Sequence, residues 1–537
     1  MRRFSSGFLR GALVLAFILC FSSCGEKPLP EVKEVVYDED APLDFIFNNQ
    51  TLGSTTITIK RSEWDKLCDY YRFFYKNENC VRAESYEYEK DGKSWRMENV
   101  GFRLRGNTSR FCPQGVDNGR EQGQRSAEWN PWYFDNAGKE NDNYRQTHFK
   151  VDFGRYSDGE RKQKMAGRLE GMALKRLDHS LGREIFCYDL FRRYGIWTAP
   201  RASHTRLTIN IIEDNGDGSV TKVDYGVYEM FEEVGKPSLM DRDKNHSKES
   251  NAWSGDKGNL WKCAYYGTDS AASLTDGSGR GMGVEKNVIV FDEDGNPSGK
   301  IFETYDLDLK TNKKKLEEAK SELCAFIREL NALPKLSVDG ARKNSEAVKE
   351  IRGFYEKWFD VDFFIRTYAI NILLGMDDDY WNNANNYYLY FDTASVDSTG
   401  KVYFIPFDYD NSLGCSISEG GFRQNPLDWG RGQDRPLMDR LLSVPEYREK
   451  FMKCLREVSS KKSLWNFESC SARFKSWADM LKPYVKSKDL SYVGMGAHSF
   501  EDYTWQPEGY SLLGRENNIF DATRESINKW LDVEMKK

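Results

Sequence analysis

Lys401-Val-Tyr-Phe-Ile-Pro-Phe-Asp408-Tyr-Asp410 constrains the chain most: a run rich in Val, Tyr, Phe and Ile reads as a strand, and it ends in two carboxylates two residues apart. Carboxylates at a strand end suit magnesium or manganese, hard cations that keep positions open for water and phosphate oxygens, better than structural calcium. Just upstream lies Gly375-Met-Asp377-Asp378-Asp379-Tyr-Trp-Asn382-Asn383-Ala-Asn385-Asn386, followed by the aromatic run Tyr387 to Tyr390. Asp378 and Asn383 are five residues apart, the spacing of the catalytic-loop Asp and Asn of protein kinases, and Asp377 and Asn382 fit it equally. The same residues also suit a plain polar turn before a strand.

The 537 residues allow two or three domains of roughly 150 residues. A net charge of −6 argues against nucleic acid or anionic membrane as an electrostatic partner, so any phosphate site must be locally basic. The aromatic content, 14%, suits either buried rings or stacking on glycans.

The N-terminus has a basic start, an apolar stretch from Gly11 to Phe21, and Ser22-Ser23 before Cys24. This resembles a bacterial lipoprotein signal peptide over residues 1–23, with Cys24 as the lipidated residue and membrane anchor. Residues 24–42 then read as a tether, and the expected location is extracytoplasmic, in the periplasm or at the cell surface. Nine further cysteines follow without metal-type spacing; Cys68 with Cys80 and Cys454 with Cys470 are candidate disulfides by proximity. The five histidines form no His-x-x-His pair, which argues against zinc.

Alternating runs at Ser54 to Lys60, Val100 to Arg105 and Thr147 to Phe153 predict strands. Ser180 to Tyr194 predicts a helix, and Arg206 to Ile212 and Val223 to Glu229 a hairpin around the turn Glu213 to Ser219, which only partly imitates a calcium loop. Residues 238–300, rich in Gly, Ser, Asp and Asn, read as an irregular insertion or linker. Helical patterns follow at Asp308 to Leu333, Val361 to Leu374, Pro436 to Lys486 and Asp521 to Glu534. The expected organisation is α+β: a β-rich half over 43–237, the insertion, and a helix-rich half over 301–537 carrying the acidic segments, with the site between them.

Phe102-Arg-Leu-Arg105-Gly106-Asn107, Phe149-Lys150-Val-Asp-Phe153, Leu181-Gly-Arg-Glu184, Tyr225-Gly226 to Glu232, Gly258-Asn-Leu-Trp-Lys262, Asn386-Tyr-Tyr-Leu-Tyr390 and Ile405-Pro-Phe-Asp408 resemble, in order, the motifs of the CotH kinase family. The resemblance spans roughly residues 50 to 530. It implies a two-lobed, atypical protein-kinase-like fold that binds ATP with Mg or Mn and phosphorylates Ser or Thr of secreted or surface proteins. It assigns Asp378 as catalytic, leaving Asp377 and Asp379 as neighbours one position away, and Asp408, with Asn383 and Asp410, as metal-binding. Arg105 and Lys150 are the phosphate cations it suggests, with Glu184 holding Lys150 as in a kinase ion pair and Glu232 orienting nucleotide or metal. Lys150 would otherwise be an edge-strand lysine, Glu184 a solvated helix residue and Glu232 structural. Two other readings compete: a metal-dependent glycosyltransferase, which calls for a doubly wound parallel sheet, and a non-catalytic surface assembly or glycan-binding lipoprotein.

Overall fold

Seven strands of the first half curl until the last meets the first: β1 (Gly53–Lys60), β2 (Val81–Lys90), β3 (Lys93–Leu104), β4 (Phe149–Asp152), β5 (Gly171–Arg176), β6 (Ala202–Ile212) and β7 (Val220–Phe231) form a closed barrel in the order β1-β2-β3-β4-β5-β7-β6. The computed structural model describes residues 42–74, 76–106, 110–114, 144–157, 163–178, 180–236, 238–239, 255, 257–267, 269–275, 281–393, 398–415, 420–485 and 510–536. The signal peptide, Cys24, the tether up to residue 41 and Asn107 lie outside the described residues.

The alternation in β1 points Thr55, Ile57 and Ile59 inward. Asp91 and Gly92, both at positive φ, turn β2 into β3 as a two-residue hairpin requires. After the short helix α1 (Pro42–Ile46), the helix α2 (Arg61–Phe73) adds Trp64, Leu67 and Tyr71 to the barrel core. Closure runs through parallel pairing of β1 with β6, so no edge is left open. A closed barrel departs from the kinase-like first lobe that the motifs implied.

The helix α3 (Arg183–Arg193) buries almost every side chain, and Phe186 stacks on Phe474 with ring centroids 4.9 Å apart. It therefore belongs to the larger core of the second half rather than to the barrel. There β8 (Asn259–Cys263), β9 (Met282–Gly283), β12 (Leu307–Leu309), β13 (Tyr387–Asp392) and β14 (Lys401–Pro406) form a sheet in the order β14-β13-β8-β12-β9, while β10 (Lys286–Phe291) and β11 (Pro297–Glu303) make a separate hairpin. The stretch 238–300 is thus no mere linker, since it supplies the central strand of this sheet. Asp308 stands in β12, and the helix expected from there begins only at Leu316.

Leu316–Ala332 is amphipathic and buries Leu323, Phe326, Ile327 and Leu330 at helical spacing, while Val361–Leu373, capped by Asp360 accepting from the Phe363 N–H at 3.0 Å, is buried on nearly every side. Among the described residues, the named strands pair in parallel only at β1–β6 and β12–β9, so the doubly wound sheet of the glycosyltransferase reading is not present there. No helix among them is long and apolar enough to cross a membrane. No disulfide joins Cys68 to Cys80 or Cys454 to Cys470, which corrects both disulfide candidates. The turn Glu213 to Ser219 joins β6 to β7 as a hairpin.

Candidate active site

Lys175, near the end of β5, bridges two carboxylates: its ammonium donates to Glu184 Oε2 on α3 and to Asp408 Oδ1 just beyond β14. Strand β5 leads into α3 through Leu181 and Gly182, both at positive φ, and this turn brings Glu184 back over the strand. Burial opposes the charge on Lys175, but Asp408, Glu184 and Asp410 more than offset it and keep the ammonium protonated beyond the ordinary lysine range. Burial also raises the Glu184 pKa. Asp408 resists the same penalty because Lys175, Arg105 and Lys262 hold its carboxyl below the usual carboxylate range.

Asp408 has a φ of +58°, a conformation few non-glycine residues adopt and one that clusters at functional sites. Its surroundings enforce it. The Asp408 N–H donates to Tyr188 Oη at 2.8 Å, the Tyr409 N–H to Glu184 Oε1 at 3.0 Å, and Tyr188 donates to the same Glu184 oxygen at 3.2 Å. Glu184 therefore fixes both Lys175 and the backbone that presents Asp408.

The triple acid separates into three roles. Asp377 is fully buried, and Asp379, also buried, accepts from Tyr368 Oη and Asn371 Nδ2, each at 2.6 Å, and from the Asn382 N–H at 2.8 Å, capping the short helix Tyr380–Asn383. Burial pushes Asp379 up to about 7 despite those donors. Asp378 alone is partly exposed, ringed by the amides of Asn383 at 2.6 Å, Asn386 at 2.9 Å, Asn385 at 3.0 Å and Asn411 at 3.4 Å. Its pKa is raised by burial first, with Asp408 and Asp377 adding to the rise. Asn371 ties the two acidic segments together, because its Oδ1 accepts from Tyr409 Oη at 2.7 Å while its amide holds Asp379.

Asp410 opens to solvent, yet the protein packed around it and then the nearby Asp408 push its pKa well up. Among the described residues no three of His, Cys, Asp and Glu form a ready metal cage. Asp408, Asp410 and Asn383 nevertheless offer an oxygen-only donor set, and a carboxyl raised by neighbouring carboxylates is one that a divalent cation would relieve. Oxygen donors of this kind are those that magnesium and manganese take, leaving positions for water and phosphate.

Of the other expected residues, Arg105 directly follows β3, near enough for its charge to act on Lys175, Glu184 and Asp408. Lys150 is not the partner of Glu184; it pairs with Glu233 at 2.6 Å. The reason is register: Lys150 on β4 faces Ala173, and Lys175 lies two residues further along β5 on the same face, under α3. Glu232 takes Arg201 with both its oxygens, the backbone N–H at 3.0 Å and Nη1 at 3.3 Å, contacts that suit its structural alternative. The sequence reading missed Lys175 and assigned no role to Lys262. The cue for Lys175 was its place in the last turn-free residues before the Leu181 to Glu184 motif.

A family model described as CotH kinase protein matches residues 134–509, well over half of the chain. No curated protein and no solved structure is significantly similar to it.

Proposed function

The chain belongs to the CotH kinase family, and on that premise we propose that it transfers the γ-phosphoryl group of ATP to Ser or Thr hydroxyls of secreted or surface proteins. The observation that carries this reading is the strand lysine Lys175 held by the helix carboxylate Glu184 against Asp408, with Asp378 in its ring of asparagines beside them. Strand lysine, helix glutamate and metal-binding aspartate are the parts a protein kinase must bring together. The closed barrel makes the fold, in this reading, an atypical version of the two-lobed kinase plan.

Each residue has a task that its surroundings suit. An ammonium has three donors, so Lys175 can serve Glu184 and Asp408 and still meet a phosphate oxygen. Asp378 accepts the acceptor hydroxyl's proton or orients that hydroxyl, and its raised pKa makes it a better base than an ordinary aspartate. The asparagine amides keep its carboxylate aimed. Asp408, Asp410 and Asn383 would hold magnesium or manganese, which supplies positive charge for the phosphate oxygens. The N-terminus supports attachment through a lipid on Cys24 outside the cytoplasm.

The test is incubation of the purified protein with labelled ATP and magnesium or manganese, beside Asp408→Asn. Label on the protein or on an acceptor, reduced about a hundredfold or more in the variant, is the expected result. Full activity in Asp408→Asn would overturn the metal role, and no label without nucleotide binding would turn the reading to a non-catalytic surface scaffold.

A further inference from the structure

Lys262 stands on the central strand β8, in register between Tyr388 of β13 and Asp308 of β12. Its ammonium lies 5.3 Å from the ring centre of Phe407, the residue before Asp408. The side chain is partly buried, and among the described residues it makes neither a hydrogen bond nor an ion pair. The nearby acids are already engaged. Asp308 takes Lys310 and the Glu285 N–H at 3.1 Å, and Glu285 accepts from Asn287 Nδ2 at 3.0 Å.

Burial and the nearby Lys310 ammonium disfavour the charge of Lys262, while Glu285, Asp408 and Asp308 favour it without bonding it directly. Across the site the Arg105 backbone N–H donates to His148 O at 2.9 Å, and its guanidinium makes no hydrogen bond or ion pair among the described residues. Both cations act on Asp408, and so does Lys175. Three cations from two walls thus converge on one carboxylate. Two of them lack an anion of their own, an arrangement that favours a ligand carrying several negative charges.

We propose that Lys262 binds the polyphosphate of the nucleotide from the β8 wall, opposite Arg105 on the barrel wall, so that the phosphates are held from both sides beside Asp408. This deepens the phosphotransfer reading and rests on it. An acidic peptide is the weaker occupant, because the cations meet at Asp408 and Lys175, where the phosphates must lie, and not along an outer rim.

The test is calorimetric binding of ATP, ADP, adenosine and inorganic tripolyphosphate, with magnesium, to the wild type, Lys262→Met, Lys262→Arg and the exposed control Lys349→Met. Loss of one charge-assisted contact predicts that Lys262→Met weakens ATP and tripolyphosphate about ten- to a hundredfold, leaves adenosine unchanged, and is largely rescued in Lys262→Arg. Since Lys262 has no hydrogen bond or ion pair to lose, only its place over the Phe407 ring, Lys262→Met should unfold close to the wild-type temperature. ATP binding in Lys262→Met equal to wild type overturns the proposal, as does a fall in its unfolding temperature with equal losses for adenosine and ATP. A wild type that binds neither ATP nor tripolyphosphate overturns the phosphotransfer reading itself.

Discussion

At Lys175 one ammonium answers two carboxylates, and both depend on it. The Lys175 side chain is 10% exposed and that of Glu184 3%, so removing the cation leaves the buried Glu184 carboxylate unpaired beside the partly exposed Asp408. Breaking a buried pair from one side costs about 3 kcal/mol or more. Lys150 and Glu233 are 28% and 31% exposed, and a pair so open to water contributes under about 1 kcal/mol. Lys175→Met should therefore lower the urea-unfolding free energy by about 3 kcal/mol and phosphotransfer by at least about a hundredfold. Lys150→Met should cost under about 1 kcal/mol and less than tenfold in rate. The reverse ranking would return the phosphate role to Lys150.

The helix α3 carries Glu184, and its position is set by the turn before it. Gly182 has a φ of +135°, and a Cβ there would meet His204 Nε2 at 2.9 Å, the atom that bonds Leu181 O at 2.8 Å. Gly182→Ala should cost about 2–3 kcal/mol through backbone strain and the displaced imidazole. It should also shift Glu184 and so reduce activity, even though no reacting group is altered. Chemical unfolding and the ATP assay measure the two effects; wild-type activity at full stability loss would show that Glu184 does not depend on the turn. This turn also explains why the helix, legible from the spacing of Leu181, Ile185 and Tyr188, starts at Arg183 and not at Ser180. Strands β1 and β6 were legible because one face is buried and the other is not, which leaves a period of two. Strand β5 is buried on both faces along most of its length, so its period is lost and Lys175 with it. Strand β8 hid for a similar reason inside a glycine- and serine-rich stretch. Asp408 and Asp410 stood out because they end an apolar strand, and Asp378 because it lies in a run of acids and asparagines. The division of labour within the triple acid did not, because it is set by Tyr368 and Asn371, which hold Asp379 from a separate helix.

The barrel has its own core, and the second half has another that includes α3. All described residues belong to one unit, and the Lys175–Asp408 bridge is a polar tie between strand β5 of the barrel and the acidic segment after β14. A ligand held by Arg105 and Lys175 on one side and by Lys262 and Asp408 on the other must stabilise both cores, because it binds only when they are assembled. At a hundred times its dissociation constant, ATP with magnesium should add about 2.7 kcal/mol, a rise of a few degrees in Tm. Hydrogen exchange should slow at β5 and at β14 together. In Asp408→Asn the shift should shrink or vanish, since the carboxylate that joins cation and metal is neutral there. Protection confined to the barrel, with β14 unchanged, would mean that nucleotide binds to one wall alone, and the two-walled site would then have to be abandoned.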